Sequence, residues 1–117
     1  MIVNDLENSN FVVGNGISIK EAMSIITTNH RGCVVVVDDN RHLVGTLSDG
    51  DIRRTLVKDV SLLSTIENAV NRNPIFLVEN QADLVEAAKK IFSSRPGIHL
   101  VPVINENNLL VSLVVQD

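Results

Sequence analysis

Neither tryptophan nor tyrosine occurs among the 117 residues, and phenylalanine occurs only three times. The core must therefore be packed from aliphatic side chains, through many small dispersion contacts rather than a few aromatic anchors. One cysteine, Cys33, excludes an internal disulfide and makes a reducing compartment, the cytoplasm, the expected location. No apolar run approaches the ~20 residues that span a bilayer, so no membrane partner is expected. The opening MIVNDLENSN is polar and carries two acids, unlike a secretory signal. Positive charge is also short: ten Lys and Arg against fourteen Asp and Glu leave a net charge of −4. That balance offers no footprint for nucleic acid, and a small anionic ligand would need a local basic cluster. No phosphate-cradling Walker loop, His-Glu-x-x-His pair, paired cysteine set or nucleophile elbow occurs. The expectation is a non-catalytic chain that requires no cofactor and holds no metal; Asp49 and Asp51 on one turn read as a negative helix start.

What is present is an ordinary globular balance, 44% hydrophobic and 21% charged, with Val and Ile dominant. Residues 1–10 read as a short strap or helix. Phe11-Val12-Val13 is a short apolar run ended by the turn Gly14-Asn15-Gly16. Ser18 with Glu21 three positions on makes a capping box, and Ile19, Ala22, Met23 and Ile26 predict a helix over 19–29. Cys33–Val37 is an unbroken apolar run with four consecutive β-branched valines, the mark of a strand buried on both faces. After the turn Asp38–Arg41, residues 42–47 predict its hairpin partner, and Ser48 caps a second helix over 49–57. Residues 61–71 read as a linking helix. The pattern then restarts: a strand at 74–78, a helix opened by Asn80–Asp83 and containing Leu84, Ala87, Ala88 and Ile91, a break at Ser93–Gly97, and strands at 98–104 and 109–115.

The two halves align. Phe11 matches Phe76, Val13 matches Val78, Asn15 matches Asn80, and Glu21-Ala22 match Glu86-Ala87. Leu43 then matches Leu109, and Asp51 matches Asp117, after one residue of slippage assigned to the hairpin turn. The expected architecture is α+β: two β-α-β-β-α repeats related by a pseudo-twofold, their sheets packed face to face because each unit is marginal alone. The first unit spans 1–59 with its N-terminal strap. The second spans 60–117 without its last helix, which implies an attached catalytic domain C-terminal to Asp117.

The segment Leu43-Val44-Gly45-Thr46-Leu47-Ser48-Asp49-Gly50-Asp51-Ile52-Arg53-Arg54 resembles the signature of a CBS domain, the cystathionine-β-synthase type: a glycine, two mostly apolar residues, Ser or Thr, two variable residues, then Asp. With the duplication and the Glu-Ala pair early in each first helix, the whole chain resembles a tandem CBS pair, or Bateman module. The resemblance implies a regulatory module that binds AMP, ADP, ATP or sometimes S-adenosylmethionine between its copies, commonly as a homodimer. It implies that Asp51 accepts hydrogen bonds from both ribose hydroxyls and that Ser48 bonds ribose or phosphate. A fixed carboxylate suits a diol, and the helix opening at Ser48 offers free N–H groups to a phosphate. Gly45 and Gly50 would let a ligand approach the backbone, and either Arg53-Arg54 or His30-Arg31 could face the phosphates. Plainer readings stand beside these. Ser48-x-x-Asp51 is also a capping box, Arg53-Arg54 also a solvated face, His99 also a packing residue and Cys33 core. The second copy has Val111 for Gly45 and Val114 for Ser48, so one nucleotide per chain is expected. A ligand-free assembly module is the alternative. The wording of 45–54 and of 71–75 is similar to CBS pairs of sugar-phosphate enzymes, a sugar nucleotidyltransferase in preference to an arabinose-5-phosphate isomerase.

Overall fold

A computed structural model describes all residues, 1–117. The first unit contains β2 (Val12–Gly14), α1 (Ile19–Asn29), β3 (Cys33–Val37), β4 (Leu43–Ser48) and α2 (Asp49–Val57). The second contains β5 (Leu77–Val78), α3 (Leu84–Ser94), β6 (Leu100–Ile104) and β7 (Leu110–Val115), and a short β1 (Ile2–Val3) precedes both. In each unit the first strand runs parallel to the second, and the second and third form an antiparallel hairpin. The sheets have the orders β2-β3-β4 and β1-β7-β6-β5.

The aliphatic composition dictates four layers. Val34 and Val36 of β3 face α1 and α2, packing with Ile19, Ala22, Ile26 and Ile52. Val35, on the opposite face, packs with Leu100, Leu113 and Val115 of the other sheet. The second sheet's outer face is covered by Ala88 and Phe92 of α3. The sheets therefore meet face to face as expected, and β3 is buried on both sides because it is sandwiched between helices and a second sheet.

A pseudo-twofold is visible in the backbone. Leu43 N–H donates to Asn108 O at 2.9 Å, and Leu110 N–H donates to Arg41 O at 3.0 Å, a reciprocal pair across the equivalent turns. Arg41 and Asn108 both adopt left-handed φ, 70° and 63°. The halves also exchange arms. Ile2 and Val3 pair with Val114 and Leu113 at the edge of the second sheet, while Asn71, which leads into the second unit, bridges to Thr46 on the first.

These pairings correct two expectations. Residues 61–71 form only a single 3-10 turn, Ile66–Asn68. Their backbone is used elsewhere: Ser64 O and Leu62 O accept from Ile19 and Lys20 N–H, and Asn71 exchanges two hydrogen bonds with Thr46. Capping α1 and extending a sheet edge win over local helix periodicity. The repeat register also differs. Cys33 pairs with Ser48 and Leu100 with Val115, so the hairpins are related by 67 positions, not 66. Ser48 superposes on Val115 and Gly45 on Ser112, and Asp117 falls at the place of Gly50 rather than Asp51. The slippage lies before β6, where the connection from α3 is two residues longer than the one from α1; the hairpin turns are equal in length.

Gly45 is explained by packing, not by ligand access. A Cβ there would collide with the carbonyl oxygen of Asn71 and lie 2.7 Å from Val70 Cγ1. Only glycine lets the linker zip onto β4. Gly45→Ala is expected to destabilise the fold by about 1–3 kcal/mol, because the obstacle is backbone that cannot swing aside. A shift of the urea midpoint to lower concentration checks this, and an unchanged midpoint contradicts it.

Candidate functional site

The site begins with the start of α2. Ser48 lies in extended backbone, and its Oγ accepts from Asp51 N–H at 3.1 Å. Asp51 Oδ2 accepts in return from Ser48 N–H at 3.0 Å. This reciprocal cap satisfies two free N–H groups and fixes the carboxylate in one rotamer. Asp51 Oδ1 takes a charge-assisted bond from Arg54 Nη2 at 2.7 Å. The Asp51 side chain is 17% exposed against 71% for Arg54, so the anion is anchored and the cation lies at the mouth.

A cleft of about 340 Å³ opens in front of this cap. Cys33, Thr46, Ser48, Asp51 and Arg54 form one wall, all from the first unit. The linker supplies Asn71, Asn73 and Ile75, held in place by the bridge from Asn71 to Thr46. Arg95, Gly97 and Ile98 of the longer connection between α3 and β6 close the other side with Leu100 at the start of β6. The two residues by which the repeats differ in length thus fall within the wall of the cleft.

Of the residues singled out in the sequence, Ser48, Asp51 and Arg54 meet here. Gly50 sits on the first turn of α2 under the Arg54 guanidinium, not on the cleft lining. Arg53 is exposed and off the cleft. His30 and Arg31 are not brought to Ser48; they line a second concavity of about 250 Å³ with His99, Gln116 and Asp117. There Arg31 Nε donates to Gln116 O at 3.0 Å, and His99 Nδ1 lies 2.7 Å from Gln116 Oε1. The pseudo-twofold is the reason. It sets each unit's helix-to-strand connection against the other unit's β-to-α connection, so the tip at His30 faces the second motif and the tip at Arg95 faces the first.

Sequence reasoning missed Arg95, Asn71, Asn73, Ile75, Ile98 and Leu100. One signal was available. His30 and Arg95 are equivalent C-caps 65 positions apart, and a twofold-related pair exchanges such partners.

Cys33 also lines the cleft. Burial pushes its thiol up to about 11, with the charges of Asp49 and then Asp51 adding to the shift. No group of three or more His, Cys, Asp or Glu side chains is placed to hold a metal ion. No helix is long and apolar enough to cross a membrane.

Residues 3–58 match the CBS domain family model. The chain is 35% identical over 98 residues to arabinose 5-phosphate isomerase KpsF of Escherichia coli, covering 83% of this chain and 29% of KpsF. It spans the same 29% of a Helicobacter pylori relative. A CBS domain pair/ACT domain protein from Thermotoga maritima superposes with a TM-score of 0.73 at 21% identity, over 97% of this chain and 84% of that one. The CBS domain pair of protein MJ0100, solved with 5-methylthioadenosine and S-adenosyl-L-methionine, superposes at 0.67 with 28% identity, over 90% and 83%.

A thiol raised from 9.0 to about 11 holds about a hundredfold less thiolate at neutral pH than an ordinary cysteine. Iodoacetamide at pH 7.5 is expected to alkylate Cys33 correspondingly slower than free cysteine. The rate should rise about tenfold per pH unit up to pH 10 and recover in urea. Alkylation as fast as that of the free amino acid contradicts the assignment.

Proposed function

We propose a ligand-binding role for this chain, which belongs to the CBS domain family as a tandem pair: it binds one adenine nucleotide in the cleft between its halves and serves a larger protein as a regulatory, non-catalytic part. The observation that carries the reading is the position of Asp51, a carboxylate locked by its own helix cap and aimed into a cleft whose far wall is the other unit. In this reading each unit, residues 1–59 and residues 60–117, supplies one wall.

The chemistry divides along the cleft. A carboxylate oxygen retains acceptor capacity beyond one bond, so Asp51 can receive a ribose diol while keeping its cap. Ser48 Oγ stands beside it for a hydroxyl or a phosphate oxygen. Ile75, Ile98 and Leu100 offer apolar surface to the faces of a base, and the amides of Asn71 and Asn73 offer polar partners to its edges. Arg54 and Arg95 are the local basic cluster that an anion needs against a net charge of −4. They favour AMP, ADP or ATP over S-adenosylmethionine, whose sulfonium is a cation. The volume, about 340 Å³, lies at the small end of the ~300–1,000 Å³ range of ligand pockets, which suits a single nucleotide. The second concavity has Val115 at the place of Ser48 and Asp117 at the place of Gly50, so one site per chain is proposed.

A ligand touching both walls binds the closed arrangement better than any opened one, and that differential affinity lets it bias an attached domain. The likeness to KpsF supports attachment to a sugar-phosphate enzyme. The wording of residues 45–54 and 71–75 fits either a sugar-phosphate isomerase or a sugar nucleotidyltransferase as that enzyme. Exposed Val57 and Leu63, each 78% accessible, favour a second reading in which the pair self-associates as a homodimer, with or without ligand. Sedimentation velocity over a concentration series separates the two readings.

Titration calorimetry with AMP is expected to give one site per chain. Asp51→Asn keeps an acceptor for the Ser48 N–H but loses the charge, and should weaken AMP binding by about 1.5–3 kcal/mol. Circular dichroism confirms that α2 persists. No heat at millimolar AMP overturns the proposal, and an unchanged affinity in Asp51→Asn removes this residue from the site.

A further inference from the structure

We propose that Arg54 is an internal stand-in for the ligand and that nucleotide binding is an exchange: the ribose displaces the guanidinium from Asp51, and the displaced guanidinium pairs with the phosphate. The inference rests on the ribose reading of Asp51 given above and adds a rule for which nucleosides bind.

Three observations converge on it. Arg54 Nη2 lies 2.7 Å from Asp51 Oδ1, the carboxylate oxygen not committed to the helix cap. The guanidinium is exposed yet folds back over the first turn of α2. A Cβ built on Gly50 would lie 3.4 Å from Arg54 Nη1, 3.7 Å from Nη2 and 3.7 Å from Ser48 Oγ. The cation and the hydroxyl thus both lie over Gly50, with the carboxylate bonded to the cation. A diol approaching Asp51 Oδ1 meets the guanidinium first.

The bond is also easy to exchange. Its partners are three positions apart on one helix, and the arginine is 71% exposed, so the pair contributes little to stability and is screened by solvent. The stem is long enough to swing about its fixed Cα. A ligand that carries a phosphate gives the displaced cation a new anion, reinforced by Arg95 across the cleft. A nucleoside without phosphate gives it none and bears the cost of the lost pair. The phosphate therefore contributes twice, by attracting Arg54 and by compensating the exposure of Asp51 to the ribose.

The exchange predicts opposite signs for two ligands. In calorimetric titrations, Arg54→Gln should bind adenosine about two- to threefold more tightly than the parent protein, because a weak competing pair is gone. The same variant should bind AMP about tenfold more weakly, because a charge-assisted contact to phosphate is lost. Lys58→Gln removes the same charge from the exposed end of α2 and should leave both affinities within twofold. If Arg54→Gln weakens both ligands, or leaves adenosine unchanged, the exchange is overturned and Arg54 is only a phosphate contact. If Lys58→Gln reproduces the pattern, net charge explains it and the exchange is again overturned. Failure of the unsubstituted protein to bind either ligand overturns the ribose reading itself, a result distinct from the other two.

Discussion

The inner faces of two aliphatic sheets must be hidden from water, and without aromatic anchors they can be hidden only against each other. This constraint orders the rest of the structure. Val35 of β3 and Leu100 of β6 lie in one shared core with Leu113 and Val115. Once the sheets are clamped this way, the reciprocal hydrogen bonds of Leu43 and Leu110 fix the pseudo-twofold, and the exchanged arms seal the sheet edges. The cleft is a consequence of this packing. It exists because the second unit's helix-to-strand connection is brought against the capped helix α2 of the first.

What was legible in the sequence was local. Ser18 with Glu21 and Ser48 with Asp51 mark the starts of α1 and α2, because a cap is satisfied within four residues of chain. Both helices span the residues expected of them. The run Cys33–Val37 announced a doubly buried strand for the same reason: β-branched side chains on both faces leave it nowhere else to go. The linker resisted because its hydrogen-bond partners, Ile19, Lys20 and Thr46, lie 25 to 45 positions upstream. A helical pattern of apolar residues in 61–71 says nothing of such distant acceptors and donors.

The candidate site divides along the same line. Ser48, Asp51 and Arg54 share one turn of one helix, so the motif placed them together. Arg95 and Ile98 come from the other unit and meet the motif only through the twofold, while His30 and Arg31 are carried away by that same operation. A register slip of one position was enough to match Asp117 with Asp51. The pairing of Leu100 with Val115, against that of Cys33 with Ser48, shows Asp117 at the glycine position. In the proposed reading the carboxylate of Asp51 unites two roles weighed as alternatives. It caps α2 through Oδ2 while Oδ1, at the cleft, is held by Arg54, so the fold's own capping bond would preorganise the proposed binding group. Ligand contact at that oxygen would thereby be coupled to the stability of the helix it starts.

The central claim is that a single ligand is gripped by both halves at once. Amide shifts followed by NMR during a titration with AMP test it most directly. The account predicts that Ser48 to Asp51, Asn71 to Asn73, and Gly97 and Ile98 respond together with one dissociation constant, while His30, His99 and Gln116 stay still. Shifts confined to one wall, or centred on the concavity of His30 and His99, would contradict it.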